Sequence, residues 1–225
     1  MTSIYQLVLG ADFAKLHPRI QQRFGFSSAD GVCAIGTGTM ERVWHGPFWT
    51  LPFLYCGAWR HILVPQQGRD VPFTIENYAY RDRFGRETVT WVRTFVLKRR
   101  QRFDATMIHS RDRDMIVDYL GTHQHLAVDI AMRVDAGGGL RLRSGDQRFY
   151  IGNFGFRFPQ FFTGIADVHE WYDDAQGCYR ISVNVVNRTW GPLFGYDGSF
   201  QNEMRVCAAD GVPAHVKPVH ERRGE

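Results

Sequence analysis

The sequence contains no apolar run long enough to cross a bilayer and no basic start followed by an apolar segment. The first residues, Met1–Leu9, are followed by Asp12 well before the roughly 20 apolar residues that a transmembrane helix needs. The richest apolar stretch, residues 46–59, is shorter and is interrupted by Pro52 and Gly57. We therefore expect no secretory signal, no integral membrane segment and a cytoplasmic location. The stretch 46–59 is predicted to cap the core, with contact to a membrane surface as the alternative.

Cysteine is sparse and scattered. The 4 cysteines lie far apart, with no CxxC pair and no histidine at metal-ligand spacing. Without a secretory signal, we expect them to be reduced core residues. His123 and His125 could share one strand face, but no third ligand follows nearby, so we predict no metal site.

Motifs for cofactors and nucleic acids are also missing. Residues 35–40 (Ile-Gly-Thr-Gly-Thr-Met) lack the third glycine of a dinucleotide fingerprint and lead into a strand pattern. No phosphate-binding loop, GxSxG or HExxH motif occurs, and we predict no cofactor. The formal net charge is only +4, and the one dense basic run, residues 98–102, falls between two strand patterns. A solvated hairpin turn explains this run, so nucleic acid is not an expected partner.

No linker, repeat or low-complexity run divides the 225 residues. The hydrophobic fraction of 44% and the aromatic fraction of 14% are ample for a core. We predict a single β-rich domain over residues 1–209. The Gly-, Pro- and charge-containing tail, residues 210–225, is predicted to be disordered.

The periodicity predicts two helical pieces and then a series of strands. Residues 12–25 have helical spacing, and Pro18 divides them. After Gly31 the pattern changes to strands of similar length joined by short polar turns. The predicted strands cover residues 32–44, 71–81, 86–97, 103–109, 115–120, 125–134, 140–149, 166–172, 179–187 and 199–207. About nine strands after the apolar cap imply a mostly β, antiparallel up-and-down sheet, curled into a barrel or half-barrel.

The hairpin of residues 166–187 places a carboxylate inside. If Ala175 and Gln176 form its loop, Glu170 faces Ile181 on an otherwise apolar face. A carboxyl group there must be paired, or its pKa rises and it can carry a proton in acid/base catalysis. We name Glu170 as the candidate catalytic residue. A structural ion pair or a hydrogen bond from tyrosine is the alternative.

The hairpin of residues 71–97 supplies candidate ligand-binding residues. With a two-residue loop at Arg83 and Phe84, Glu76 lies opposite Trp91 and diagonal to Arg93. If this face points inward, Arg93 and Trp91 form a floor for an anionic or carbonyl-bearing ligand. If the other face points inward, Glu76 and Arg93 form only a surface salt bridge.

Residues 187–200 combine glycine, proline and aromatic residues and are predicted to be a structured loop at a pocket mouth. Tyr196 is the candidate ligand-binding residue of this loop. The alternative is a plug fixed by Trp190 and Phe194.

Five segments, in order, resemble the bacterial domain-of-unknown-function family 4166 over about residues 9–203. They are residues 16–25, 86–95, 117–121, 170–174 and 191–200. The resemblance implies that Trp91, Arg93, Glu170, Gly195 and Tyr196 matter to the family. Its members occur alone, fused to saccharopine-dehydrogenase-like domains or attached to membrane segments. This implies a possible partner oxidoreductase, but the activity of the family is not established.

The sequence therefore favours a protein that binds a small, largely apolar molecule in the concave face of a β half-barrel. Glu170, Arg93 and Glu76 would orient its polar end, with Tyr196 at the rim. Cofactor-free acid/base chemistry of the isomerase or cyclase type could follow. The alternatives are a non-catalytic carrier of a lipid-like ligand and an accessory module that docks onto a partner oxidoreductase or membrane protein.

Overall fold

The computed structural model describes residues 2–151, 154–207 and 211–223. Eleven antiparallel strands form one sheet, and pairing between β6 and β7 closes ten of them into a barrel. The strands are β1 (Val32–His45), β2 (Gly68–Arg81), β3 (Glu87–Val96), β4 (Arg100–Ser110), β5 (Met115–Leu120), β6 (Leu126–Val134), β7 (Leu140–Ile151), β8 (Phe154–Arg157), β9 (Gly164–Asp173), β10 (Cys178–Asn187) and β11 (Gly191–Val206).

The predicted mostly β, antiparallel up-and-down architecture is confirmed, and the sheet curls into a complete barrel. Closure occurs because β7 pairs with β6 on one side and with β9 on the other. The first and last barrel strands, β1 and β11, pair along almost their whole length. Strand β8 lies outside the ring as a hairpin partner of β7.

Helices close one end of the barrel. Helix α1 (Ile4–Leu9) begins with a capping box between Ser3 and Gln6, and helix α2 (Pro18–Phe24) begins with Pro18. A 3₁₀ helix, Gly10–Lys15, joins them, so the predicted division at Pro18 is confirmed. Side chains from α1 and α2 are buried in the barrel, and the strand turns at this closed end are residues 82–86, 111–114, 135–139 and 174–177.

The opposite, open end carries helix α3 (Leu51–Ala58) between β1 and β2. Only Leu54 of α3 is fully buried, so the predicted apolar cap covers the core incompletely. Cys56, on the same helix, is exposed, which corrects the expectation that every cysteine lies in the core. No helix in the described part of the chain is long and apolar enough to cross a membrane.

The predicted loop over residues 187–200 is wrong from Gly191 onward, because this segment is the first half of β11. Its glycines permit close packing: a Cβ on Gly195 would lie 2.4 Å from the Trp44 ring, and one on Gly198 would lie 2.3 Å from the Thr39 carbonyl oxygen. Glycines that suggest a loop in the sequence therefore mark places where strand β11 approaches its neighbours.

The tail also differs from the prediction of disorder. Residues 211–223 have no regular secondary structure but lie against the outside of the barrel. Val216 is buried against Cys33, Tyr78 and Val92, and the Arg222 backbone N–H donates to the Gln124 side chain at 2.7 Å. Buried apolar surface and backbone hydrogen bonds hold this segment, and neither is visible in its polar composition.

Candidate ligand-binding cavity

The barrel encloses a cavity of about 580 Å³ that reaches the open end. This volume is in the range of small-molecule sites in proteins. Most of its lining is apolar and comes from strands β3 to β7 and β9 to β11 and from the segment around α3. The lining residues near the mouth include Phe53, Trp59, Ile62, Phe149, Phe158 and Phe162, and those deeper inside include Trp91, Met107, Val128, Leu142, Val168 and Val183.

Three charged side chains line the cavity: Arg60, which follows α3 near the mouth, and Arg93 on β3 and Asp118 on β5 deeper inside. Ser144 and Gln147 on β7 also line it, but both are engaged with the start of β9. The Ser144 hydroxyl accepts the Ala166 N–H at 2.7 Å, and the Gln147 amide donates to the Gly164 carbonyl oxygen. Arg93 and Asp118 are therefore the ionisable pair available to a ligand deep in the barrel.

Arg93 is a buried cation, with 3% of its surface exposed. Its Nε donates to the Phe103 carbonyl oxygen at 3.1 Å, and its Nη1 donates to the Tyr196 hydroxyl at 3.3 Å. The guanidinium carbon lies 3.7 Å from the centre of the Phe103 ring. Among the described residues, no carboxylate forms an ion pair with it. Neutral groups fix its position, and within the described part of the chain the buried carboxyls Asp118 and Glu170 act on its charge only without direct contact.

Asp118 is a buried carboxyl group that the sequence analysis did not identify. Its Oδ1 has no hydrogen-bond partner in the described structure. Burial raises the pKa of Asp118 to about 7, although Arg93 and the Thr106 backbone N–H lower it in part. Alternation along β5 could have located this residue, because Ile116 and Leu120 share its face.

The predicted pairing around Glu170 is confirmed: Glu170 lies opposite Ile181, and Val168 lies opposite Val183. Glu170 is fully buried, and its Oε1 accepts a hydrogen bond from the Nε of Arg23 on α2. Burial raises the pKa of Glu170, and the Arg23 guanidinium lowers it in part. Arg23 could not be identified from the sequence, because the helical spacing of residues 12–25 gives no sign of a partner in β9.

The Arg23–Glu170 pair belongs to the closed end and does not line the cavity. The Arg23 Nη1 donates to the Asn202 side chain at 2.6 Å, and its Nη2 donates to Asn77 at 3.3 Å. Glu170 is therefore enclosed by the helical plug, and a ligand in the cavity does not reach it without movement of α2.

The predicted pairing of Glu76 is wrong by one residue. The β2–β3 loop has three residues, 83–85, with Gly85 at φ 75°, instead of the two that were assumed. Arg93 consequently lies opposite Ile75 and points inward, whereas Glu76 points outward. The Glu76 carboxylate lies 3.1 Å from the His215 imidazole in the tail, and it is separated from Arg93 by the barrel wall.

Trp91 and Tyr196 both point into the barrel. Trp91 forms part of the cavity lining, and its Nε1 donates to the Tyr5 hydroxyl of α1 at 2.9 Å. Tyr196 is fully buried, with its ring against Phe95, and burial raises the pKa of its hydroxyl. It holds Arg93 from within the barrel and does not stand at the rim, contrary to the prediction.

No group of three or more histidine, cysteine or acidic side chains is placed to hold a metal ion within the described ranges. The His123 and His125 rings stack at 5.8 Å, and the His220 ring lies 5.6 Å from that of His123.

The fold and its interior define a closed antiparallel barrel with a large apolar cavity whose deep lining includes Arg93 and Asp118. The chain belongs to the family described as Domain of unknown function (DUF4166), which it matches over residues 16–200. It is 32% identical over 206 residues to the uncharacterized protein YndH of Bacillus subtilis (strain 168), covering 91% of this chain and 99% of that protein. No solved structure matches the chain significantly.

Proposed function

We propose that this protein binds a small, largely apolar molecule inside its barrel. The observation that carries the proposal is the cavity of about 580 Å³, lined by apolar side chains and reaching the open end. Protein interiors are ordinarily packed with few voids larger than a water molecule. A void of this size is costly unless something fills it, and small barrels commonly enclose one ligand.

Arg93 and Asp118 are the groups that would orient the polar end of the molecule. Both line the cavity, whereas Glu170 is paired with Arg23 beneath the floor and Glu76 lies outside. The proposed ligand site therefore keeps Arg93 and Trp91 from the sequence analysis, adds Asp118, and gives Glu170 and Tyr196 supporting positions.

Acid/base catalysis in the same cavity is the second candidate function. Asp118 favours it, because burial raises the pKa of this carboxyl to about 7, the range suited to proton transfer near neutral pH. In that case Asp118, and not Glu170, would carry the proton. The reaction would be one that needs no cofactor, such as an isomerisation or a cyclisation.

Native mass spectrometry of the protein purified from its own host tests the binding function. We expect a bound molecule in the wild-type protein. An Ala166→Phe variant, which fills the cavity from β9, should lose it. The matched control Ile165→Phe adds the same ring on the outward face of the adjacent residue and should retain the molecule.

Titration with 1-anilinonaphthalene-8-sulfonate gives a second measurement that does not depend on the natural ligand. The wild-type protein and Ile165→Phe should bind this amphipathic probe, which joins apolar rings to a sulfonate, with similar affinity, and Ala166→Phe should bind it at least about tenfold more weakly. Equal binding by all three proteins, or an empty protein that co-purifies with a partner, would overturn the cavity proposal and favour a docking module. Accumulation of a different bound species in Asp118→Asn would favour catalysis.

A further inference from the structure

We propose that the molecule in the cavity carries a single anionic headgroup, such as a carboxylate, which contacts Arg93 and accepts a hydrogen bond from the protonated carboxyl of Asp118. This inference rests on the proposed binding function. It specifies the chemical class of the ligand.

The Arg93 guanidinium is buried without an opposite charge in direct contact within the described residues. A guanidinium ion removed from water must be compensated by hydrogen bonds and by opposite charge. Arg93 has two hydrogen bonds to neutral oxygens, and its Nη2 makes none within the described residues. Two buried carboxyl groups feel the charge of Arg93: Glu170 of β9, which is already paired with Arg23, and Asp118 of β5. An anion entering from the cavity would supply the missing charge, and a forked guanidinium suits a carboxylate.

The surroundings of Asp118 favour the protonated form of its carboxyl group. The ionisable groups that influence it are Arg93 on β3 and the Tyr5 hydroxyl on α1, while its neighbours Met107 and Val128 are apolar. With a pKa of about 7, the carboxyl already holds its proton much of the time at neutral pH. A second anion nearby would keep that proton in place, because two adjacent carboxylates repel each other. The protonated carboxyl can then donate to an oxygen of the headgroup.

Other headgroups fit less well. A cationic group would lie beside the Arg93 guanidinium and be repelled by it. A neutral hydroxyl group could bond to Asp118 but would leave the charge of Arg93 uncompensated. The one arrangement that satisfies both side chains is a monoanion between a cation and a proton donor.

A comparison of dodecanoic acid with dodecan-1-ol tests the headgroup directly on delipidated protein. The two probes share one chain, so their difference in affinity reports the headgroup alone. We expect the wild-type protein to bind the acid at least about tenfold more tightly than the alcohol. An Arg93→Met variant should abolish this preference while keeping the alcohol. The Glu76→Gln variant, which changes a charge on the outer face, should behave like the wild-type protein.

The pH dependence of the wild-type protein gives a test that needs no folded variant. Binding of the anion requires a proton on Asp118, so the affinity for dodecanoic acid should fall by up to about tenfold per pH unit above about pH 7. The affinity for dodecan-1-ol should change little, and Asp118→Asn should flatten the profile of the acid. Equal binding of both probes by the wild-type protein would overturn the headgroup proposal but leave the binding function intact. Binding of neither probe, together with an empty native protein, would count against both.

The distribution of side chains at the open end supports an independent inference about a surface. The described segments at that end are residues 46–67, 97–99, 121–125, 154–163 (which include β8) and 188–190, and none of them contains Asp or Glu. Their basic residues are Arg60, Lys98, Arg99, Arg157 and Arg188. The closed-end turns differ, because they contain Asp82, Asp112, Asp114, Asp135 and Asp174.

The same segments expose large aromatic side chains around the cavity mouth. We refer to these as the aromatic rim: Phe48 (76% exposed), Trp49 (53%), Tyr55 (58%), Trp59 (79%), Phe154 (83%), Phe156 (47%), Phe161 (45%), Phe162 (46%) and Trp190 (39%). At the closed end of the described structure, Phe84 is the only aromatic side chain that is comparably exposed, and Leu7 and Val206 are exposed aliphatic side chains. An exposed apolar surface of this extent is costly in water and usually has a partner.

We infer that the aromatic rim docks onto an anionic lipid surface. Aromatic rings are favoured at the boundary between headgroups and acyl chains, and adjacent Lys and Arg side chains are attracted to anionic lipids. These segments carry no carboxylate of their own. Arg157 is paired with Asp146 of β7, so Arg60, Lys98, Arg99 and Arg188 would provide the attraction to such a surface. In this orientation the mouth of the cavity faces the lipid, so an apolar molecule could enter without crossing water.

Co-sedimentation with vesicles tests this inference. The protein should bind vesicles of phosphatidylcholine mixed with phosphatidylglycerol, and it should bind those of phosphatidylcholine alone at least about fivefold more weakly, with release by salt. Phe48→Ser/Trp59→Ser and Lys98→Glu/Arg99→Glu should each weaken binding by a similar factor. Arg83→Glu, a charge reversal at the closed end, should not. No binding to either vesicle, or equal loss in Arg83→Glu, would overturn the inference.

Discussion

The Asp118 carboxyl is buried in the folded chain and exposed to water in the unfolded chain, so its pKa differs between the two states. Its pKa rises from 3.8 to about 7 in the folded protein because burial disfavours the charged form. The folded state therefore binds one more proton than the unfolded state between these two values. Stability from this source is complete below the unfolded pKa and is lost as the pH rises through about 7.

We predict that the free energy of unfolding of the ligand-free protein falls by about 1.4 kcal/mol per pH unit from about pH 4 to about pH 7, relative to an Asp118→Asn variant. The variant has no proton to lose at this site, so subtraction removes the titration of all other groups. Urea unfolding at several pH values measures both proteins. A constant difference between them across this range would show that Asp118 keeps an ordinary pKa in the folded chain.

The Arg23–Glu170 pair leads to a second prediction for single residues. Each charge is fully buried, so removal of one leaves the other without compensation. We expect Arg23→Met and Glu170→Gln each to lower the free energy of unfolding by about 3 to 5 kcal/mol. The double variant should cost less than the sum of the two by more than about 1 kcal/mol. Urea unfolding of the four proteins measures this coupling, and additive losses would mean that the two side chains act separately.

Sequence alone could predict one half of this pair and not the other. Alternation along β9 fixes the face of Glu170, because the residues two positions away are apolar. Arg23 follows an ordinary helical pattern whose buried side depends on how α2 enters the barrel. The same alternation along β5 could have identified Asp118 as an inward-facing residue. That Arg93 has no carboxylate in direct contact could not be predicted, because it depends on how several strands pack together.

At the scale of whole elements, the length of a turn decides which face of a hairpin points inward. The β9–β10 connection spans residues 174–177 and keeps the register expected for a two-residue loop, because both lengths are even. The β2–β3 loop has three residues, and the odd number exchanges the two faces. Gly85, at φ 75°, is the available signal, since three-residue loops commonly end with a glycine in this conformation. The two strands of this hairpin could be predicted from the sequence. Their register could not, because both faces of the hairpin carry polar and apolar residues, so alternation does not show which face points inward.

The segment after α3 depends on one glycine of the β5–β6 connection. Gly121 has φ 74°, and a Cβ there would lie 2.2 Å from the Arg60 carbonyl oxygen. That oxygen accepts the Thr122 N–H at 3.1 Å, which holds residues 60–62 beside the cavity mouth. The close approach positions Ile62 in the cavity lining.

We predict that Gly121→Ala destabilises the protein by about 1 to 3 kcal/mol more than Gly177→Ala. Gly177 is the matched control, because its φ of 63° imposes the same backbone strain while a Cβ there meets no atom within 4 Å. The strain alone costs about 1 to 2 kcal/mol. Urea unfolding gives both values, and 1-anilinonaphthalene-8-sulfonate titration should show altered affinity only for Gly121→Ala. Equal losses would mean that residues 60–62 move away without cost.

At the scale of the whole molecule, closure of the barrel makes the interior independent of the tail. Every lining side chain of the cavity precedes residue 195, and the described tail residues lie outside the ring. The inner and outer faces of the barrel wall therefore have different roles. The inner face lines the cavity for the proposed ligand, and on the outer face Val216 of the tail covers Cys33, Tyr78 and Val92. This separation also bears on the expectation that residues 1–209 form one domain, because a closed ring of hydrogen-bonded strands offers no internal boundary.

We predict that truncation after Cys207 lowers the free energy of unfolding by about 2 to 3 kcal/mol, the contribution of one buried apolar side chain, while the barrel still unfolds in a single transition. Unfolding curves from circular dichroism, which reports the strands, and from tryptophan fluorescence should coincide. The described strands form one sheet, and the tryptophans lie in that sheet or in its connections. Val216→Ser should reproduce much of the loss without removing backbone, and both proteins should bind 1-anilinonaphthalene-8-sulfonate as the wild type does. Two separate transitions would contradict a single domain. If the truncated chain no longer bound the probe while Val216→Ser still bound it, the tail would instead support the cavity mouth through the β5–β6 connection.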